Sequence, residues 1–358
     1  MRRRPLYFSL LSFFFLLSCA PSSLSPSTPV QSVPVLYVFR LEPPALVELS
    51  PDDKPLREIP LFTPAGCALN NIYPSPRSAY LAVELSCAFG QTIVWVNTDT
   101  DEVKQAFTES DSHFLAWASD GQAAYLRVGA AGRPRILRVY TNGKQASIPI
   151  TELTYDLSPA PDNLDFTFTF SRGMRLGSEM WLAQKDGNIV KQIAADKNNY
   201  LSFARWSPDG KQIAFIKIPD SPIPFTVGQL WIISADGSNA RKLAEADAGH
   251  GYAASWSPDG KSIAFVAREN PQEANADQNA GALVSNIYLV DVASRKLTQL
   301  TRFEKARVEA PLWSADGNTI VFTVVLNDKI NVYRAEVKSG ETKLIITESA
   351  CCPAWMRK

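Results

Sequence analysis

The segment Trp206-Ser207-Pro208-Asp209-Gly210-Lys211-Gln212-Ile213-Ala214-Phe215 returns as Trp256-Ser257-Pro258-Asp259-Gly260-Lys261-Ser262-Ile263-Ala264-Phe265. It returns again as Trp313-Ser314-Ala315-Asp316-Gly317-Asn318-Thr319-Ile320-Val321-Phe322. Trp117-Ala118-Ser119-Asp120-Gly121 is a fourth copy, and Tyr73-Pro74-Ser75-Pro76-Arg77 and Leu157-Ser158-Pro159 are worn ones. Trp355 opens one more. Anchors at 73, 117, 157, 206, 256, 313 and 355 are spaced by 44, 40, 49, 50, 57 and 42 residues. A unit of that length that cannot bury its apolar faces alone must stack on its neighbours, and this period is that of a four-stranded propeller blade.

The residues inside each unit agree with that reading. In Ser-Pro-Asp-Gly, proline presets φ, aspartate bonds its own backbone and glycine tolerates positive φ, which makes a tight turn between two strands. An alternating apolar run follows, as at Ile213 to Ile216, and then an aromatic-bearing strand such as Gln229 to Ile233 or Asn286 to Val290. The polar turn Ala235 to Ser238 leads to a last strand at Arg241 to Leu243.

This pattern resembles the TolB-like propeller repeat, over roughly residues 67–358, with blade three (about 152–195) the weakest match. The small N-terminal domain that accompanies TolB propellers is not apparent. The resemblance implies an all-β propeller serving as a binding scaffold in the cell envelope, and carries over no partner residues. The expected fold is seven-bladed, with six blades, as in TolB propellers, the alternative. Seven closes the ring because Ala350 to Trp355 supplies one innermost strand, while Val35 to Phe39, Ala45 to Leu49 and Pro55 to Leu61 supply the other three strands of the same blade. Joining both chain ends in one sheet leaves no blade open.

The N-terminus reads Met1-Arg2-Arg3-Arg4, an apolar stretch from Leu6 to Leu17, then Ser18-Cys19. A basic start and an apolar run of about 12 residues fit an export signal and fall short of a membrane-spanning helix. Leu16-Leu17-Ser18-Cys19 resembles the bacterial lipobox, which implies lipidation of Cys19 after removal of residues 1–18. Residues 19–34, rich in proline and serine, form a tether, and 35–358 a single propeller domain. Lys plus Arg and Asp plus Glu each number 36, so nothing suggests nucleic-acid binding. Membrane attachment is expected through the lipid, on the periplasmic or cell-surface side. The expected partner of this monomer is a cell-envelope protein or surface ligand.

In a four-stranded meander the turns alternate between two rims. The Ser-Pro-Asp-Gly turns share one rim with the short turns between strands three and four. The opposite rim collects every long connection: Val128 to Pro134, Arg172 to Ser178, Lys217 to Gly228 and Arg268 to Ser285. Long connections on a rigid scaffold are where recognition tends to sit. Arg133, Arg135, Arg172 and Arg175 suit an anionic partner, and Ile223 and Phe225, among three prolines, suit a protein. His250 and Tyr252, in a blade link on that rim, are candidate ligand contacts. Arg268 to Ser285 is polar and is read as mobile.

The competing class is a hydrolase or lyase using the axial channel. Only His113 and His250 offer imidazole chemistry, and they lie 137 positions apart. No Gly-x-Ser-x-Gly elbow or His-x-x-x-His pair is present, so no catalytic residue, metal or cofactor is assigned. Export permits disulfides. Cys67 and Cys87 flank a hairpin symmetrically and are expected to bridge; Cys351 and Cys352 pair with each other, or one pairs elsewhere, for example with Cys67.

Overall fold

The computed structural model describes residues 34–61, 66–88, 90–106, 111–129, 134–150, 152–248, 252–346 and 349–357. Cys19 and the signal and tether assignments lie outside them, except that Pro34, assigned to the tether, opens a strand. The described residues form seven antiparallel four-stranded sheets. Blades I to VI span residues 67–105, 112–148, 154–196, 199–247, 255–299 and 307–344. Blade VII has Ala350–Arg357 innermost, followed outward by Pro34–Arg40, Ala45–Leu49 and Pro55–Pro60. The chain is therefore a seven-bladed propeller closed by its two ends, and the six-bladed alternative is set aside.

Closure follows from the two-residue period of a strand, which sends neighbouring side chains to opposite faces. Leu36 and Val38 pack on blade VI with Val321, Val332 and Ile345. Tyr37 and Phe39, one step away, pack on blade I with Ile72, Leu81 and Val83. Among the described residues there is one apolar cluster for each of the seven blade interfaces, so the core is a ring.

Four of the repeated tryptophans each join their blade to the one before it. The indole N–H of Trp117 donates to Tyr73 O, Trp206 to Ser158 O, Trp256 to Arg205 O and Trp313 to Ser255 O, at 2.9–3.0 Å. The turns interlock as well. Gly260 holds φ +70° with Pro208 of the preceding turn packed over it, and Gly317 sits the same way over Pro258. At blade VII charge supplements these contacts. The Asp53 carboxylate meets Arg334 at 2.6 Å and Lys343 at 3.0 Å on blade VI, while Arg57 meets Asp101 at 3.1 Å on blade I.

Candidate functional site

The long connections of blades III and IV are braced against each other. Ser171 Oγ donates to Gly177 O at 2.6 Å across the base of the 171–177 loop. Asp220, at the start of the blade IV loop, accepts the Gly177 N–H at 3.0 Å. Burial works against the Asp220 charge, but the backbone N–H groups of Gly177 and Arg175 hold its carboxyl below the usual range. Gly177 has φ +64°, and a Cβ there would collide with the Asp196 carbonyl. The loop is thus a built element that needs its glycine.

That bracing presents apolar side chains to solvent. Met174 is 78% exposed, Leu176 59% and Ile223 39%, with Pro222 and Pro224 exposed beside Ile223. Bracing the loop backbone in advance removes part of the ordering cost that a partner would otherwise meet. Arg172 lies over the Phe170 ring, 5.3 Å from its centroid, and pairs with Glu179 at 3.0 Å. Arg175 is exposed with φ +62°.

The expected candidates divide. Arg172 and Arg175 lie on the blade III loop and Ile223 on the blade IV loop, which the Gly177–Asp220 bond links. Phe225 turns toward blade V: its N–H donates to Asp277 O at 3.2 Å, and its carbonyl accepts from Arg268 at 2.6 Å. Arg135 is exposed at the start of the third strand of blade II. The Tyr252 hydroxyl bonds Glu309 of blade VI, and burial together with that carboxylate raises its pKa. Arg133 and His250 lie outside the described residues. Met174, Leu176 and Asp220 were not singled out from sequence. The alternation Arg172-Gly173-Met174-Arg175-Leu176-Gly177 was the signal available for the first two.

The segment Arg268 to Ser285, read from sequence as mobile, is ordered around a buried charge. Its Arg268 side chain is fully buried, 2.9 Å from Asp277 and 3.6 Å from Asp247. Ala276 and Leu283 are buried, and a short 3-10 turn spans Ala280–Ala282. Polarity gave the wrong impression because the polar groups satisfy one another.

A second group spans the first two strands of blade I and the first strand of blade II. The buried Glu84 carboxylate accepts from Tyr73 Oη and Asn70 Nδ2, both at 3.0 Å, and lies 3.9 Å from His113 Nδ1. His113 Nε2 is 3.2 Å from Asp111. Burial, then the Glu84 charge, raises the Tyr73 pKa, and Arg205 of blade IV acts on it in the opposite sense. Asp156, buried on blade III, accepts the Ala204 N–H at 2.7 Å. Among the described residues no group of three or more His, Cys, Asp or Glu is placed to hold a metal ion.

The two disulfides complete the picture. Cys67 pairs with Cys87 across the first two strands of blade I, where they are directly opposite. Cys351 pairs with its neighbour Cys352.

A family model described as the TolB beta propeller domain matches residues 167–356. No curated protein matches the chain. Among solved structures, TolB from Acinetobacter baumannii is 18% identical, with 88% of this chain and 79% of that one covered at a TM-score of 0.50. An oligogalacturonate lyase in complex with manganese is 16% identical, with 87% and 85% covered at 0.56. A puromycin-hydrolyzing peptidase from Mycobacterium tuberculosis is 13% identical at 0.62; 88% of this chain matches about half (52%) of that one. At such identities the likeness is one of fold, shared by proteins of different named activities.

Proposed function

This chain belongs to the TolB beta propeller domain family, and from that premise we propose that it is an exported, lipid-anchored scaffold that recognises a cell-envelope protein through its long-loop rim. The observation that carries this is the exposed trio Met174, Leu176 and Ile223 on loops braced through Asp220. Exposed apolar side chains on a braced loop, beside arginine, suit a protein surface. The placement of the chain ends agrees. Pro34 pairs with Arg357 where the other blades carry the tight turn, so the first described residue lies on the short-turn rim, opposite the long connections.

The test is site-specific photo-crosslinking in intact cells. A crosslinker at residue 174 or 223 is expected to give one discrete adduct that a crosslinker at Leu297, on the outer edge of blade V, does not. Equal labelling at all three positions would remove the rim from the reading.

A second reading is an enzyme using the axial channel, and the Asp111–His113–Glu84 arrangement favours it. It predicts turnover of an envelope polymer or peptide that His113→Ala abolishes without loss of fold.

A further inference from the structure

Cys351 and Cys352 sit on the innermost strand of blade VII, and each is half-buried. We propose that this pair is a redox site that accepts two electrons from an external dithiol while the propeller stays folded.

The argument begins with the backbone. Cys352 has φ +56°, unusual for a residue other than glycine. Phe203 and Ala310 have φ +59° and +49° at the matching place, three residues before Trp206 and Trp313 as Cys352 is before Trp355. Those strands carry the same irregularity of register: Ser202 to Arg205 and Glu309 to Leu312 skip on their partners, as does the pairing around Phe39 and Cys351. The propeller therefore imposes this conformation with or without sulfur. Reduction leaves the strand its backbone, its Cys352 N–H bond to Thr323 Oγ1 at 3.3 Å, and its ladder to Pro34–Arg40.

The second disulfide supplies the contrast within the same molecule. Cys67–Cys87 spans 20 residues, so it restricts the unfolded chain, and the fold in turn favours its oxidised state. Cys351–Cys352 closes no loop of chain and receives none of that support. All four cysteines pack against the one apolar cluster between blades VII and I, so both pairs border the same core. What separates them is linkage to folding.

The chemistry is ordinary exchange. A thiolate of the dithiol attacks one sulfur of the pair, the Cys351–Cys352 S–S bond breaks, and a mixed disulfide forms. The second thiol of the dithiol displaces the protein sulfur. The protein gains two electrons and two protons, and the dithiol leaves as a disulfide.

The experiment equilibrates the full-length oxidised protein in buffers of graded reduced-to-oxidised dithiothreitol, followed by alkylation and peptide mass mapping. Cys351 and Cys352 are expected to become alkylated at a ratio at least about tenfold below that needed for Cys67 and Cys87. Tryptophan fluorescence and circular dichroism should be unchanged at that ratio. A Cys351→Ser/Cys352→Ser variant should keep the parent's thermal midpoint, whereas Cys67→Ser/Cys87→Ser should lower it. Reduction of both pairs together, reduction of Cys67–Cys87 first, or loss of folded signal as Cys351 is labelled would each overturn the proposal.

Discussion

Asp220 of blade IV accepts the backbone N–H of Gly177 of blade III at 3.0 Å, which ties together the two loops that expose Met174, Leu176 and Ile223. Asp220→Ala should release the 171–177 loop while the blades persist. Amide exchange at Gly177 is expected to quicken roughly tenfold, with exchange at Phe215 in the core unaltered. Unchanged exchange at Gly177 would show that the loop is held by other means.

Arg268 lies wholly inside, between Asp247 and Asp277. Arg268→Met removes the buried cation that these carboxylates and the Phe225 carbonyl face. A loss of about 3–5 kcal/mol is expected, read from chemical denaturation. A cost under about 1 kcal/mol would mean that the cluster relaxes into solvent.

The tryptophan repeat allows a paired comparison. Trp256 Nε1 bonds the Arg205 carbonyl at 2.9 Å, while the buried Nε1 of Trp355 has no partner among the described residues. Both substitutions to phenylalanine lose similar volume. Trp256→Phe should be the more destabilising by about 1–2 kcal/mol, measured as a difference in denaturation free energy. Equal losses would count against the indole bond as a blade clasp.

Acid titration should report the turns. The Ser207, Ser257 and Ser314 hydroxyls hold the carboxyls of Asp209, Asp259 and Asp316 below their ordinary 3.8. Folded values below unfolded ones mean that this stabilisation is complete above pH 3.8 and fades as pH falls through the folded values. Asp156 runs the other way. Burial raises its pKa above 3.8, so its contribution is present below that pH and is lost as pH rises through the folded value. Replacing the three turn aspartates by asparagine should flatten the acid limb of a thermal-midpoint profile. Asp156→Asn should remove the opposing slope.

Cys19→Ala should move the protein from the membrane fraction to the soluble fraction on fractionation of expressing cells. An unchanged membrane fraction would refute lipid anchoring and leave the propeller untouched.

Seven blades were legible because each unit carries its own turn chemistry and its own alternation. Pro208, Asp209 and Gly210 act on φ and on local hydrogen bonds, and Ile213 to Phe215 on a two-residue period. Closure was legible for the same reason, since Val35 to Phe39 lacked a strand that Ala350 to Trp355 could provide. The Cys67–Cys87 bridge followed from hairpin symmetry.

The rim was only half legible. Its location came from loop length, and Arg172, Arg175 and Ile223 were within reach of that argument. Which loops join did not follow, because Asp220 meets Gly177 across 43 residues and Arg268 meets Phe225 across another 43. Such contacts depend on where the ring sets two blades side by side. Local order is written in neighbouring residues, whose spacing the chain itself enforces. The pairing of distant charges, the ordering of a polar loop and the exposure of Met174 exist only once the seven cores have closed and positioned them.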